Sequence, residues 1–555
     1  MKTPISEENA LAASNSASDD ADTKSKNALR GWRFWAVFPA ICVTSLLSAV
    51  ESTVTSTALP FIVHQLNAGG VYVWFVNVFF LTGTAFLPLF GQMCDLFGRR
   101  WMMIGVVAMF ALGSGISGGA SNAAMMIAGR AIQGIGGGGI NLMIELIVSD
   151  LVPLRQRGAY MGVVFAIFSL GTALGPFIGG AIVQNTSWRW VFFINLPIAG
   201  VALVLHVLFL RVNYDRQTAI AIKLKKIDYV GNGILMASVV AVLIALSWGG
   251  SKYAWSSYHI LAPLLLGIAG MAVFHWYETM PWVKNPTLPS RVFTRRTPAA
   301  ALMLAFINFM LLFWAIYFFP IYFQAVQRMS PIISGVALLP TVLLSVVTGI
   351  VAGVILTKTG RYRPLHIASF ALITLGFGLF SRFNASTSRA EWIIVQCIPA
   401  IGLGFMMTAN LPAVQADLPE SDTALATGAF AFMRAYGSIW GISIPAAIFN
   451  AQFDSLLHLI DDVGIRDRLS NGKAYSYANA ELINSFPDGP RAQVIEVYTR
   501  SLRLTWYVSL GFAVLGFLLC FVEKEIDLRQ TLETDFGLES ETKDAKKSNE
   551  KVTSL

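Results

Sequence analysis

Charge is scarce in this sequence: Asp, Glu, Lys and Arg make up 13% of its 555 residues, whereas 55% are hydrophobic. That balance excludes a soluble globular domain, whose core could not absorb so much apolar surface. Cysteine is nearly absent, and Cys42, Cys94, Cys397 and Cys520 show no paired spacing, which argues against a disulfide framework or a thiolate metal site. The histidines (His64, His206, His259, His275, His366 and His458) are scattered, so the clustered His, Asp or Cys of a membrane-embedded enzyme is missing. No phosphate-cradling G-x-x-x-x-G-K-[ST] loop occurs, which removes ATP as the expected energy source. Residues 1–33 are rich in Ser, Asp and Lys without an apolar centre, unlike a cleavable signal peptide. No metal, cofactor or nucleic-acid partner is expected; the net charge of +8 has to be read through its distribution along a membrane chain.

Long apolar stretches, by contrast, recur from end to end. About fourteen are long enough to cross roughly 30 Å of hydrocarbon as helices. They cover approximately 35–57, 73–91, 102–121, 124–147, 159–183, 191–210, 229–248, 259–277, 299–320, 334–356, 365–382, 391–410, 424–449 and 503–522. Barrel strands would alternate apolar and polar residues in segments of about ten, a pattern absent here, so the expected fold is an all-α bundle. Lys and Arg then concentrate on one side. With a cytosolic amino end, inner loops hold Arg99, Arg100, Arg155, Arg157, Lys223, Lys225, Lys226, Arg295, Arg296, Arg361 and Arg363 among others, whereas short outer loops hold only Arg189, Lys252, Arg328, Arg382 and Arg389. Both termini are therefore expected in the cytosol. Residues 451–502 form the longest outer segment, expected as an exposed connection, and the sequons at Asn185 and Asn384 fall on the outer side as candidate glycosylation sites.

The second apolar run ends on GQMCDLFGRR, residues 91–100. Asp95 and Arg99 are four apart and share a helical face if the helix continues, while Gly98 permits a turn or a close backbone approach. Arg99 and Arg100 alone could be snorkelling anchors, which would leave the acid and the glycines unexplained. GQMCDLFGRRWMM resembles the first loop motif of the major facilitator superfamily. RAIQGIGGGG (130–139) resembles that family's arginine motif, GTALGPFIGG (171–180) its antiporter motif, and WRWVFFINLP (188–197) a signature of its fourteen-span drug:proton antiporters. GVILTKTGRYRP (353–364) is a weaker second copy of the first motif, without the acid. GGGGINLMIELIVSDLVPLRQRG looks like the fungal members.

The resemblance implies two six-helix halves rocking about a central cavity, with two extra helices between them. The chain then divides into a tail at 1–33, a first half at 34–211, a linker with two spans at 212–297, a second half at 298–522 that includes the 451–502 segment, and a tail at 523–555. Asp95, Gly98, Arg99 and Arg100 would form a charge latch at the inner ends of neighbouring helices, with Glu145, Asp150 and Arg155 as partners. Gly171, Gly175, Pro176, Gly179 and Gly180 would give a bendable, closely packed fifth helix linked to exchange.

Ionisable groups far inside a span are functional candidates because an unpaired charge there is costly. Glu51 and Arg130 both sit roughly 12 to 14 Å below the outer surface at ~1.5 Å per residue, so a pair is geometrically allowed. Burial disfavours charge on a carboxyl group and a guanidinium favours it, so separating such a pair would capture or release a proton. Gln133 shares the Arg130 face, as hydrogen-bond partner or packing amide. Arg434, near the midplane, would hold an anionic or hydrogen-bonding part of a substrate or else pack against backbone carbonyls. Asn308 and Tyr317, in an aromatic run, are candidate cavity contacts for a flat apolar ligand. The expected function is proton-coupled export of amphipathic small molecules by a monomer in the plasma membrane or a vacuolar membrane. Uptake of a metal chelate or nutrient is the alternative, and a multispan enzyme is less favoured.

Overall fold

The computed structural model describes residues 32–66, 74–212, 220–249, 253, 255–283, 286–288, 290–419, 422–470, 473–475 and 477–529. Most of the two expected tails, 1–31 and 530–555, lies outside them. In hydrocarbon a backbone must satisfy its polar groups within its own segment, and helices do this. Among the described residues the only β-type pairing is an isolated bridge between Gly249 and Tyr253.

The first half contains α1 (Trp32–Gln65), α2 (the pair Trp74–Ala85 and Leu87–Phe97), α3 (Arg99–Gly118), α4 (Ala123–Leu151), α5 (Leu154–Asn185) and α6 (Trp190–Phe209). Next come α7 (Tyr229–Trp248) and α8 (Tyr258–Glu278). The second half contains α9 (Arg296–Ile321), α10 (Leu339–Thr359), α11 (Arg363–Phe380), α12 (Arg389–Ala416), α13 (Thr423–Leu456) and α14 (Asp488–Leu519). Each expected span falls on one of these. Eleven described helices are long and apolar enough to cross a membrane, and the α2 pair, bent by 47°, makes twelve. The bend comes at Phe86, where Pro88 cannot donate to a continuous ladder. α5 and α13, of 32 and 34 residues, complete the order.

Packing repeats between the halves. In the first, α1 lies on α5, α3 on α4, and α2 on α4; in the second, α9 lies on α13, α11 on α12, and α10 on α12. This is the arrangement expected of two related repeats. The linker pair α7 and α8 packs together, with α7 also touching α2 and α13. Outward-facing side chains such as Val201, Val204, Leu265, Leu266, Leu343 and Val347 are exposed, an apolar surface suited to lipid rather than water.

The halves meet closely at the end that carries Asp95 and Arg99, called here the latch end. A Cβ on Gly353 of α10 would lie 2.7 Å from the Gly158 carbonyl oxygen of α5, and one on Gly428 of α13 would lie 3.3 Å from the Gly91 Cα of α2. Side chains there would hold the backbones apart.

Two expectations need correction. Residues 451–502 are no open connection: α14 begins at Asp488, and Ile460, Ile465, Leu469, Ile483, Phe486 and Val494 are buried in the second half's core. Hydropathy started this span late because the first turns of α14 carry exposed charges, among them Asp488, Glu496 and Arg500. The second tail also starts later than expected, since Glu523 and Leu528 are buried and Ile526 packs against the core.

Candidate functional site

Glu51 on α1 and Arg130 on α4 form an ion pair with 0% and 2% side-chain exposure. Three further helices complete its surroundings. Arg130 Nε donates to the Phe75 carbonyl of α2 at 2.8 Å, and Nη1 donates to Gln133 Oε1 at 2.7 Å. Gln133 Nε2 donates to Ser114 Oγ of α3 at 2.6 Å, and Asn195 Nδ2 of α6 donates to Glu51 Oε2. Thr55 Oγ1 donates to Glu51 Oε1 at 3.2 Å. A charge pair this deep is tolerable because both Glu51 oxygens and Arg130 Nε and Nη1 are met by protein. The guanidinium carbon lies 4.5 Å from the centroid of the Phe79 ring.

That ring also lines a cavity of about 410 Å³ between the halves. Phe79 therefore partitions the ion pair from the cavity. First-half walls come from Ser45, Ser48, Ser52, Phe80, Asn141, Phe165 and Phe168; second-half walls come from Phe309, Phe313, Tyr317, Ser345 and Ser438. The result is an aromatic space with hydroxyl groups at intervals, suited to an amphipathic ligand. Of the expected cavity residues, Tyr317 and Arg434 line it. Gln133 does not, being committed to Arg130 and Ser114, and neither does Asn308, which is buried in the second half.

At the latch, Arg99 Nε donates to Asp150 Oδ2 of α4 at 2.6 Å and Nη1 to Asp95 Oδ1 at 3.0 Å, with a further bond to the Cys94 carbonyl at 2.9 Å. Gly98 makes the geometry possible: at φ 80° and ψ 157° it breaks the helix, so that Arg99 starts α3 and turns back across the end of α2. Gly360, at φ 70°, occupies the matching place in the second-half copy of the motif.

The remaining expected latch partners go elsewhere. Arg100 donates to the Val207 carbonyl of α6 at 2.7 Å. Arg155 reaches across the halves to the Thr357 carbonyl at 2.6 Å and to that of Lys358. Glu145 pairs with Arg434 of α13, also across the halves. Sequence distance along α4 placed Glu145 toward the latch and left Arg434 without an acid, because the partner sits on the other half.

The fifth-helix motif packs on the helix that bears Glu51. A Cβ at Gly175 would lie 2.0 Å from Thr53 Oγ1, and one at Gly171 would lie 2.7 Å from Ala49 Cβ. Pro176, Gly179 and Gly180 continue the same helix, although the Pro176 side chain lies outside the described set. Asn185 is exposed at the last turn of α5, with Nδ2 donating to the Ala181 carbonyl at 2.8 Å. Asn384 is part-buried, its Oδ1 accepting from the Ser386 N–H at 2.8 Å. Among the described residues no group of three or more His, Cys, Asp or Glu could hold a metal ion.

Several buried polar side chains escaped the sequence reading. Asn195 and Ser114 lie within apolar runs, and extending the search for buried charge to buried amides and hydroxyls would have found them. Arg157 was counted only as an inner-loop charge, yet it is buried and donates to Gln415 Oε1 of α12 at 2.6 Å, joining the halves. His366 and Glu523, 0% exposed, pair at 2.8 Å. Their separation in sequence gave no signal.

Comparison with known proteins places the chain by family and fold. The family described as the Major Facilitator Superfamily matches residues 41–442. The MFS efflux transporter aclA of Aspergillus oryzae is 47% identical over 539 residues, covering 97% of this chain and 98% of that protein. An MFS-type efflux pump of a Fusarium species is 45% identical over 523 residues, covering 94% and 93%. An efflux pump of Gibberella moniliformis is 42% identical over 528 residues, covering 95% and 94%. Among solved structures, the proton:xylose symporter XylE superimposes with a TM-score of 0.55 at 12% identity, covering 92% of this chain and 98% of that one, a likeness of fold.

Proposed function

The chain belongs to the major facilitator superfamily, and from that premise we propose that it exports small amphipathic organic compounds in exchange for protons, by alternating access. It is a membrane transporter, not an enzyme. The observation that carries the proton-coupled reading is the Glu51–Arg130 pair, sealed in the first half and separated from the cavity by one aromatic ring.

In the conformation described, the carboxylate is held by Arg130, Asn195 and Thr55. Protonating Glu51 removes the Coulombic hold on Arg130 and leaves the guanidinium to Phe75 and Gln133. Helices α1 and α4 are then freer to shift relative to each other. The antiporter motif transmits the shift, because Gly171 and Gly175 seat α5 directly on the Glu51 turn of α1. With the latch end in the cytosol, as the loop charges suggest, this conformation is shut toward the cytosol, held across the halves by Arg155 on the Thr357 carbonyl, Arg157 on Gln415 and Glu145 on Arg434. The plasma membrane is the proposed location and the monomer the working unit. The relatives named as efflux pumps support the outward direction.

The test is transport in proteoliposomes with an imposed pH gradient and a panel of fluorescent amphipathic compounds. Cargo should accumulate opposite to proton flow, and a proton ionophore should abolish accumulation. Cargo moving in the same direction as protons would make the chain a symporter, and accumulation indifferent to the ionophore would remove proton coupling.

A further inference from the structure

Among the charged residues that line the cavity, the single cation is Arg434 and the single anion is Glu145. They come from opposite halves, α13 and α4, and pair with each other. We propose that Arg434 docks a cargo carrying a planar pair of acceptor oxygens, as in a carboxylate, on an aromatic body, and that Glu145 is a built-in competitor that expels this group when the latch end closes. The proposal rests on the efflux reading and names the substrate class of the same cavity.

Three observations support Arg434 as the dock. Its hydrogen bond to Glu145 uses Nη1 alone, and among the described residues no acceptor meets Nε or Nη2. Its side chain keeps 13% exposure, whereas Arg130 is buried behind Phe79 and engaged through Nε and Nη1. Finally, the guanidinium lies 5.2 Å from the Phe309 ring centroid and 5.5 Å from that of Phe430. A planar fork with open donors between aromatic faces matches a two-oxygen acceptor on a flat molecule better than a point charge would. Phe313 and Tyr317, stacked at 6.2 Å, continue the aromatic wall beyond it.

The competitor role follows from where the pair sits. Glu145 reaches Arg434 because the halves touch at the latch end. When that end opens, α4 and α13 move apart and the guanidinium faces the cavity without its carboxylate. A charge in a low-dielectric space needs a counter-ion, and an entering anionic cargo supplies one. Closure brings Glu145 back as a tethered carboxylate at an effective concentration of about millimolar or more, enough to weaken a bound anion severalfold. Cargo is thus loaded with the latch end open and released with it closed. Glu145 Oε2 has no partner in the closed state, which leaves this carboxylate less fully held than that of Glu51.

Binding to the purified full chain in detergent, without any pH gradient, tests this. The probes are 2-naphthoate and its neutral amide, 2-naphthamide, measured by equilibrium dialysis. Glu145→Gln should tighten 2-naphthoate about tenfold and leave 2-naphthamide nearly unchanged. Arg434→Gln should bring the two affinities together, and Arg434→Lys should keep part of the preference. Should Arg434→Gln fail to fold, Arg434→Lys and Glu145→Gln still decide. An unchanged naphthoate affinity in Glu145→Gln, or a preference that survives Arg434→Gln, would overturn the proposal. Proton-driven transport of neutral compounds by a protein with no carboxylate preference would sink this inference and leave the efflux reading standing. A carboxylate preference without any response to a pH gradient would do the reverse.

Discussion

Replacing Glu51 by Gln separates the proton-carrying role of this side chain from its structural one. The substitution preserves shape, and Arg130 keeps its bonds to the Phe75 carbonyl and to Gln133. The new amide carbonyl can still accept from Arg130, while its NH₂ faces Asn195. Asn195 Oδ1 is buried without a partner, so turning that amide over supplies an acceptor for the new donor. The loss is then the difference between a charged and a neutral hydrogen bond, about 1–2 kcal/mol, together with about 1–3 kcal/mol for the Asn195 NH₂ that the flip turns to a side without an acceptor. Glu51→Ala would instead strand a buried guanidinium at a cost of about 3–5 kcal/mol, so it confounds folding with coupling. For one proton exchanged per cargo, a pH difference of one unit is worth about 1.4 kcal/mol, a tenfold accumulation. In proteoliposomes the Glu51→Gln protein should bring that ratio close to one while labelled cargo still moves down its own gradient. If Glu51→Gln accumulates cargo as well as the unmodified chain does, Glu51 does not carry the proton.

The latch predicts an order of effects: Asp150→Asn removes the buried 2.6 Å partner of Arg99, whereas Asp95 is 29% exposed and its pair is worth at most about 1 kcal/mol. All three groups lie in the first half and act on the other half only by setting the end of α2 that packs on α13 at Gly91 and Gly428, so distances between spin labels on the two halves should show a larger latch-open fraction for Asp150→Asn than for Asp95→Asn, and the reverse order would refute the assignment. Gly175→Ala puts a methyl group 2.0 Å from Thr53 Oγ1, an overpacking worth about 1–3 kcal/mol. Its thermal stability should fall and recover partly on adding Thr53→Ala; a double variant no more stable than the single one would show that the α1–α5 contact is not the cause. Truncation after Asp527 removes Arg529, whose carbonyl accepts from the Arg155 N–H of the first half at 3.2 Å and whose Nη2 donates to the Leu418 carbonyl of the second at 2.8 Å. The same spin-label measurement should show the latch end opening more often, by about 1 kcal/mol, and an unchanged distribution would exclude the segment as a clasp.

The order and extent of the helices were legible because hydropathy is a local property: a run of apolar residues long enough for the bilayer becomes a helix wherever it lies in the bundle. Glu51 and Arg130 were legible for a related reason, as each is a costly charge within such a run and the two lie at one depth. The start of α14 at Asp488 was not, since a helix that leaves the apolar slab keeps its hydrogen bonds but loses its hydropathic signature. Arg157 likewise counted only as a loop charge because its partner, Gln415, lies 258 residues away.

From the sequence alone came the all-helical membrane bundle, the doubled motif and the identity of the buried acid and base, all set by composition and short-range spacing. Only the tertiary structure decided that Asn195 and Ser114 complete the ion pair, that Phe79 divides it from the cavity, and that Glu145 crosses to Arg434 instead of joining Asp150. Partnerships of that kind depend on which face of each helix is turned inward and on how two halves dock. Those are outcomes of packing over the whole chain, and no single stretch of sequence encodes them.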